Sequence, residues 1–153
     1  MRLLKKISLA IIIPFVAIQF IQPARNTGQL MRADITKHFS IPASVESILH
    51  TSCYDCHSNN TSYPWYANIQ PMGWLLAYHI NKGKADLNFN EFGSYSKRRR
   101  LSKLKSIAGS VKDGSMPIAS YTWMHANAKL SAENKASIIN WATRTRDSLE
   151  AKN

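Results

Sequence analysis

Two thiols and an imidazole, in the run Cys53-Tyr54-Asp55-Cys56-His57, are the side chains here best suited to chemistry. Their spacing is the attachment signature of c-type haem. Each sulfur can add across one porphyrin vinyl group, and a single helical turn brings both within reach. His57 then comes under the ring, where its imidazole ligates iron as the proximal ligand. A bare CxxC also occurs as a redox dithiol, as half a zinc site or as a disulfide. Zinc needs four ligands, and Cys53 and Cys56 are the only two cysteines in the chain. A thioredoxin-like dithiol sits in a βαβ pattern, which the sequence lacks. Attachment of one covalent haem c through Cys53 and Cys56 is the expectation.

A second candidate lies downstream, in Gly114-Ser115-Met116-Pro117. A methionine in a loop held by the adjoining proline is where a distal thioether ligand is expected. The competing reading has Met116 filling a gap, as methionine often does. Met72 and Met124 are rival thioethers. His79 is the rival sixth ligand and would give a bis-histidine iron.

The elements that must position these groups read as helices. The first is expected to start at Pro42, carry Val45, Ile48 and Leu49 inward and run towards Cys53. Asn59 to Ser62 is a loop, followed by the aromatic run Tyr63-Pro64-Trp65-Tyr66. That run reads either as a wall at the haem edge, with Trp or Tyr donating to a propionate, or as ordinary core packing. Pro71 to Asn81 reads as a second helix with Trp74, Leu75 and Tyr78 on its apolar stripe and Gly83 as its stop. Asp86 to Gly93 reads as loop. A third helix is expected from Ser94 or Ser96 to Asp113-Gly114, burying Leu101, Leu104, Ile107, Ala108 and Val111. Its other face carries Lys97, Arg98, Arg99, Arg100, Lys103 and Lys105, either a solvated face or a docking patch for an acidic partner or anionic lipid. The last helix opens at Ser131 as N-cap and buries Ile138, Ile139, Trp141 and Ala142. No run of alternating strands, internal repeat or low-complexity segment is visible.

Residues 1–22 read as a signal or anchor helix. Arg2, Lys5 and Lys6 precede an apolar run from Ile7 to Ile21, broken only by Ser8 and Gln19. Pro14 interrupts it, and no small-x-small cleavage site follows. An uncleaved anchor is therefore favoured over a removed signal peptide. Positive charge before the span places the remainder outside the cytoplasm, on the periplasmic side of a bacterial inner membrane. Residues 23–40 read as a linker lifting a domain at 41–153 off the bilayer. The chain of 153 residues carries a net charge of +11, and removing Arg2, Lys5 and Lys6 leaves +8. Such a surface suits acidic redox proteins or a membrane; no nucleic-acid motif accompanies it.

Taken in order, CYDCHSN, YPWY, PMGWLLAYHI, LNFNEF, GSMPIASYTWMHANAKLS and INWA resemble the bacterial haem-binding domain family of small single-haem c-type proteins. The likeness runs from about Ile41 to Arg146. It implies an all-α, cytochrome-c-like fold in which the CxxCH helix crosses the C-terminal helix. It also implies Cys53, Cys56 and His57 as haem residues and Met116 as sixth ligand; His79 falls in a family motif too. With both axial positions filled, the expected function is single-electron transfer in the periplasm, not an enzyme activity. The alternative is a haem-based sensor or a small-ligand or peroxide-binding domain with an open iron. It requires Met116 not to ligate, and Asp55 has no evident acid/base partner in the sequence.

Overall fold

The computed structural model describes residues 2–28 and 33–152. Among these residues the chain is all-helical, with one isolated β-bridge between Thr27 and Asn60 and no strand. α1 spans Arg2–Ile18 and α2 spans Ile35–His38. α3 is Ala43–Ser52, and α4, Tyr54–His57, follows it across Cys53 alone. α5 is Met72–Asp86, α6 Lys97–Asp113, α7 Ala119–Met124 and α8 Ala132–Ala151.

The principal pairing is α6 against α8, with α3 laid across α8. Each has its apolar residues at helical spacing. Leu104, Ile107 and Val111 of α6 meet Ile138, Trp141 and Ala142 of α8, together with Val45 and Leu49 of α3. The ends are set as the sequence dictates. The Ser96 hydroxyl accepts from Arg99 N at 3.3 Å, and α6 stops at Gly114, whose φ of 78° is costly for any residue with a Cβ. The Ser131 hydroxyl accepts from Asn134 N at 3.1 Å to open α8.

α5 departs from expectation twice. It continues through Gly83 to Asp86. Gly83 stands there because α5 meets α4 face to face, and a Cβ would lie 2.6 Å from the Cys56 carbonyl oxygen. The buried face is also not the stripe of Trp74, Leu75 and Tyr78, which are exposed; α5 instead buries Gly73, Leu76 and Ile80. The segment is apolar nearly all round, and closest approach decides the inward side. A Cβ on Gly73 would lie 2.5 Å from the Ala67 carbonyl oxygen.

The stretch 86–93 is not irregular: Phe89–Ser94 forms a 3₁₀-helix fixed by a buried polar network. Asn90 Oδ1 accepts from Asn59 N at 2.7 Å, Asn88 Nδ2 donates to Asn59 Oδ1 at 2.7 Å, and Asn90 Nδ2 donates to Asp34 Oδ2 at 2.6 Å. The loop just after His57 is thereby locked to two distant segments.

The N-terminal segment is shorter as a helix than the apolar run suggested. α1 holds 17 residues and buries none of them. At 1.5 Å per residue it is ~25 Å long, against a hydrocarbon thickness of ~30 Å. Among the described residues, no helix is long and apolar enough to cross a membrane. Beyond α1 the chain lies on the domain: Gln70 N donates to Gln19 Oε1 at 2.8 Å, Trp74 Nε1 to Ile21 O at 2.8 Å and Gly28 N to Asn59 O at 2.6 Å. Ile35 is fully buried in the main core. The packed unit therefore reaches into the stretch read as linker, of which residues 29–32 lie outside the described residues.

Candidate functional site

Cys53 ends α3, its N–H bonded to Leu49 O at 2.9 Å, and its own carbonyl oxygen accepts from Cys56 N at 3.2 Å and His57 N at 2.9 Å. One turn thus carries both thiols and the imidazole. Both cysteines are free and half-buried. Burial, with the neighbouring Cys56 adding to it, pushes the Cys53 thiol up to about 12; burial and then the Asp55 charge push Cys56 up to about 11. In the chain before anything is attached, both side chains are therefore neutral thiols.

That has a measurable consequence. An ordinary thiol near 8.5 is about a quarter thiolate at pH 8, whereas one near 11 is ionised to about one part in a thousand. Alkylation of the unmodified chain by iodoacetamide at pH 8 is expected to run at least about tenfold slower than for a free thiol, since the loss of thiolate outweighs the greater nucleophilicity of a high-pKa thiolate, and to accelerate as pH approaches 11. Because the folded chain keeps these protons longer than the unfolded one, the associated stability is present below about pH 8.5 and is lost as pH rises through 11 to 12. Rapid alkylation at pH 8 would show that the thiols are not shielded.

His57 is oriented by its neighbours. Its Nδ1 lies 3.0 Å from Gly83 O and 3.0 Å from Leu87 O. Two carbonyl oxygens repel a ring lone pair, so Nδ1 carries the proton and donates, and Nε2 is left with its lone pair available. Tethering one ring nitrogen to a carbonyl is how proteins fix a metal-binding imidazole. The ring of Phe89 stands edge-on to His57 at 6.3 Å and stacks on Tyr54 at 4.9 Å.

Three adjoining cavities open beside the motif. One of about 200 Å³ is lined by Cys53, Cys56, His57, His79, Met116 and Tyr121. A smaller one of about 80 Å³ shares Cys53, His57 and Met116 and continues to Leu49, Phe89 and Ile138. A third of about 240 Å³ shares Cys56, His79 and Tyr121 and continues to Tyr66, Leu75 and Met124. The structure thus brings Met116 and His79 to the same trough as the motif. The exposed flank of α5, with Met72 and Leu75, belongs to its wall. Of the aromatic run, Tyr66 lines the trough, whereas Trp65 is 73 % exposed.

Several contributors were not visible in the sequence. Asp55 does have partners: Tyr121 OH donates to its Oδ2 at 2.6 Å and Ser62 N to its Oδ1 at 2.9 Å. Burial, and then acceptance by Asp55, push the Tyr121 hydroxyl far above its ordinary range. His125 Nδ1 lies 3.0 Å from Tyr121 O, and its Nε2 lies 3.3 Å from Tyr66 OH. Lys103 reaches into the smaller cavity while paired with Asp86 at 2.5 Å, and Lys82 lines the middle one. The signal for Tyr121 was its place three residues after Ile118 in the motif that also holds Met116. Among the described residues, no group of three or more His, Cys, Asp or Glu side chains is arranged to hold a metal ion.

The sequence pattern that defines the haem-binding domain family matches residues 13–144. The chain belongs to the haem-binding domain family. No curated protein and no solved structure gives a significant match. As a haem-binding domain, the chain offers residues that fit the group: two neutral thiols, an imidazole nitrogen freed by its tautomer, mostly apolar walls, and Lys82 for a propionate carboxylate.

Proposed function

We propose that this haem-binding protein is a c-type electron carrier, with Cys53 and Cys56 as thioether points, His57 as proximal ligand and Met116 as distal ligand. The observation that carries the reading is the pinning of His57 Nδ1 by two carbonyl oxygens, beside both thiols. Bound haem iron supplies one-electron oxidation and reduction. The chain's own residues do the rest. The thiols would tether the group, His57 would present Nε2, Phe89 and Leu49 would exclude water, and Lys82 would offset the negative charge of a propionate.

The Nδ1 contacts also support Met116 over His79. Gly83 and Leu87 lie at the end of α5, so the Nε2 edge of His57 faces away from that helix. A second residue holding the iron would then come from another element. His79 is on α5, whereas Met116 is on the loop between α6 and α7. Met116→Ala is expected to open the sixth position, so that the matured protein binds carbon monoxide or imidazole where the parent resists them, and to abolish the far-red sulfur-to-iron absorption band. Ligand binding already present in the parent and unchanged in the variant would support a sensor-type open iron instead.

The location proposed is the periplasmic face of a bacterial inner membrane, with α1 held in lipid. Support comes from α1 itself, whose Leu4, Ile11 and Ile13 are each at least 60 % exposed, and from its basic start at Arg2, Lys5 and Lys6. Fractionation of cells with an alkaline wash tests it; release of the full-length chain into the soluble fraction would contradict it.

The partner proposed is an acidic redox protein. The basic face of α6 is partly engaged: Lys103 pairs with Asp86, Arg99 lies over the Tyr95 ring at 3.8 Å, and Arg100 donates to Gly93 O. Arg98 and Lys105 are exposed and take part in no ion pair or cation–π contact among the described residues. Replacing both with Gln is expected to slow reduction by an acidic partner several-fold at low salt and little at high salt. A salt-independent rate would argue for a solvated face only.

A further inference from the structure

A cavity of about 670 Å³ lies away from the haem trough and shares none of its lining residues. It forms where the start of α3 and the chain before it meet the C-terminal half of α8 and the start of α6. Arg100, Arg144 and Lys152 line it, and among the described residues no Asp or Glu does. Phe39, Trp141 and Leu149 supply an apolar wall.

Among the described residues no acid pairs with these cations: the ion pairs are Lys103–Asp86 and Arg146–Asp147, and neither involves a cation of this cavity. Arg100 is half-buried, holds the Gly93 carbonyl oxygen through Nη2, and has a buried Nε without a partner among the described residues. A half-buried guanidinium with an unused donor and no carboxylate is costly unless an anion joins it. Lys97 brings further positive charge, its Nζ bonded to Lys152 O at 2.5 Å.

We propose that this cleft binds a phosphate monoester with an apolar body. Three cations lining one cleft, with no acid among its described lining residues, favour a dianionic head over a monocarboxylate, and guanidinium forks match phosphate oxygens. The cavity's size is that of a small-molecule site and far exceeds an inorganic ion, so the aromatic and aliphatic wall takes the rest of the ligand. The head belongs either to a soluble phosphate ester or to a phosphatidic-acid lipid.

The test uses the full matured chain and isothermal titration with phenyl phosphate and with inorganic phosphate. Phenyl phosphate is expected to bind once per chain and at least about tenfold more tightly than inorganic phosphate, because only the former covers the apolar wall. Arg144→Gln is expected to weaken it about tenfold or more, while Arg146→Gln, outside the cleft, leaves it unchanged. Arg144 is the variant of choice because it is exposed, whereas Arg100 also holds the backbone. Because α1 itself is proposed to sit in lipid, competition and not retention distinguishes the sources, with the full chain held in phosphatidylcholine micelles with and without phosphatidic acid. Displacement of phenyl phosphate by phosphatidic acid assigns the head to a lipid; phenyl phosphate binding that phosphatidic acid leaves unchanged assigns a soluble ester. Absence of saturable binding to either probe, or binding untouched by Arg144→Gln, would overturn the site.

Discussion

Gly83→Ala is expected to destabilise the protein, although an alanine in mid-helix ordinarily stabilises by up to ~1 kcal/mol. The new Cβ would stand 2.6 Å from Cys56 O and 3.1 Å from Cys56 Cβ. The nearest atom is backbone, so α4 and α5 must move apart, at an expected cost of about 1–3 kcal/mol. That movement stretches the contacts from His57 Nδ1 to Gly83 O and Leu87 O, and so loosens the ring at the point where its tautomer is fixed. Gly109→Ala on α6 is the internal comparison: it is exposed and nothing lies within 4 Å of its added Cβ, so it is expected to be neutral or slightly stabilising. Thermal unfolding of the two variants reads the difference, and a fall in haem content after maturation is expected for Gly83→Ala alone. Equal melting temperatures would show that α4 and α5 are not in tight contact.

Phe89→Ala is expected to have the larger effect on stability. Phe89 is 1 % exposed and lies between the stacked ring of Tyr54 and the edge of His57. Truncating a buried phenylalanine removes its transfer energy and leaves a cavity, at a cost of about 3–5 kcal/mol. For a chain of this size each kcal/mol shifts the midpoint by about 2–4 °C, so a fall of roughly 10 °C is expected. Calorimetric unfolding checks it. A change of a degree or two would mean that the 3₁₀ segment contributes little to the support of His57.

These two positions also show what the sequence made legible. The CxxCH motif and the boundaries of α3, α6 and α8 could be read directly, because Pro42, Ser96, Gly114 and Ser131 act on their own helix ends. Gly83 could not. Glycine commonly ends helices, so a stop is its local meaning, but here the lack of a side chain serves an approach by a segment 27 residues earlier. The inward face of α5 was hidden for a related reason: Met72 to Ile80 is apolar on several sides, and only contact with Ala67 and Cys56 picks one. Phe89 and its 3₁₀ turn are held by Asn59, Asn88, Asn90 and Asp34, a network built across the chain that no local pattern encodes. Asp55 lacked a visible partner because Tyr121 is 66 residues away. The N-terminal apolar run suggests an anchor long enough to span, but its helix ends at Ile18, where the chain turns onto the domain through Gln19 and Ile21, and no described helix is long and apolar enough to cross a membrane.

The electron-carrier reading requires covalent tethering at Cys53 and Cys56, and intact mass after denaturation tests that most directly. The full chain, expressed with haem-attachment machinery, is predicted to keep its colour and to weigh one polypeptide plus one haem, and the Cys53→Ser, Cys56→Ser double variant to weigh the polypeptide alone. A parent protein that denatures to a colourless chain of bare polypeptide mass would contradict it.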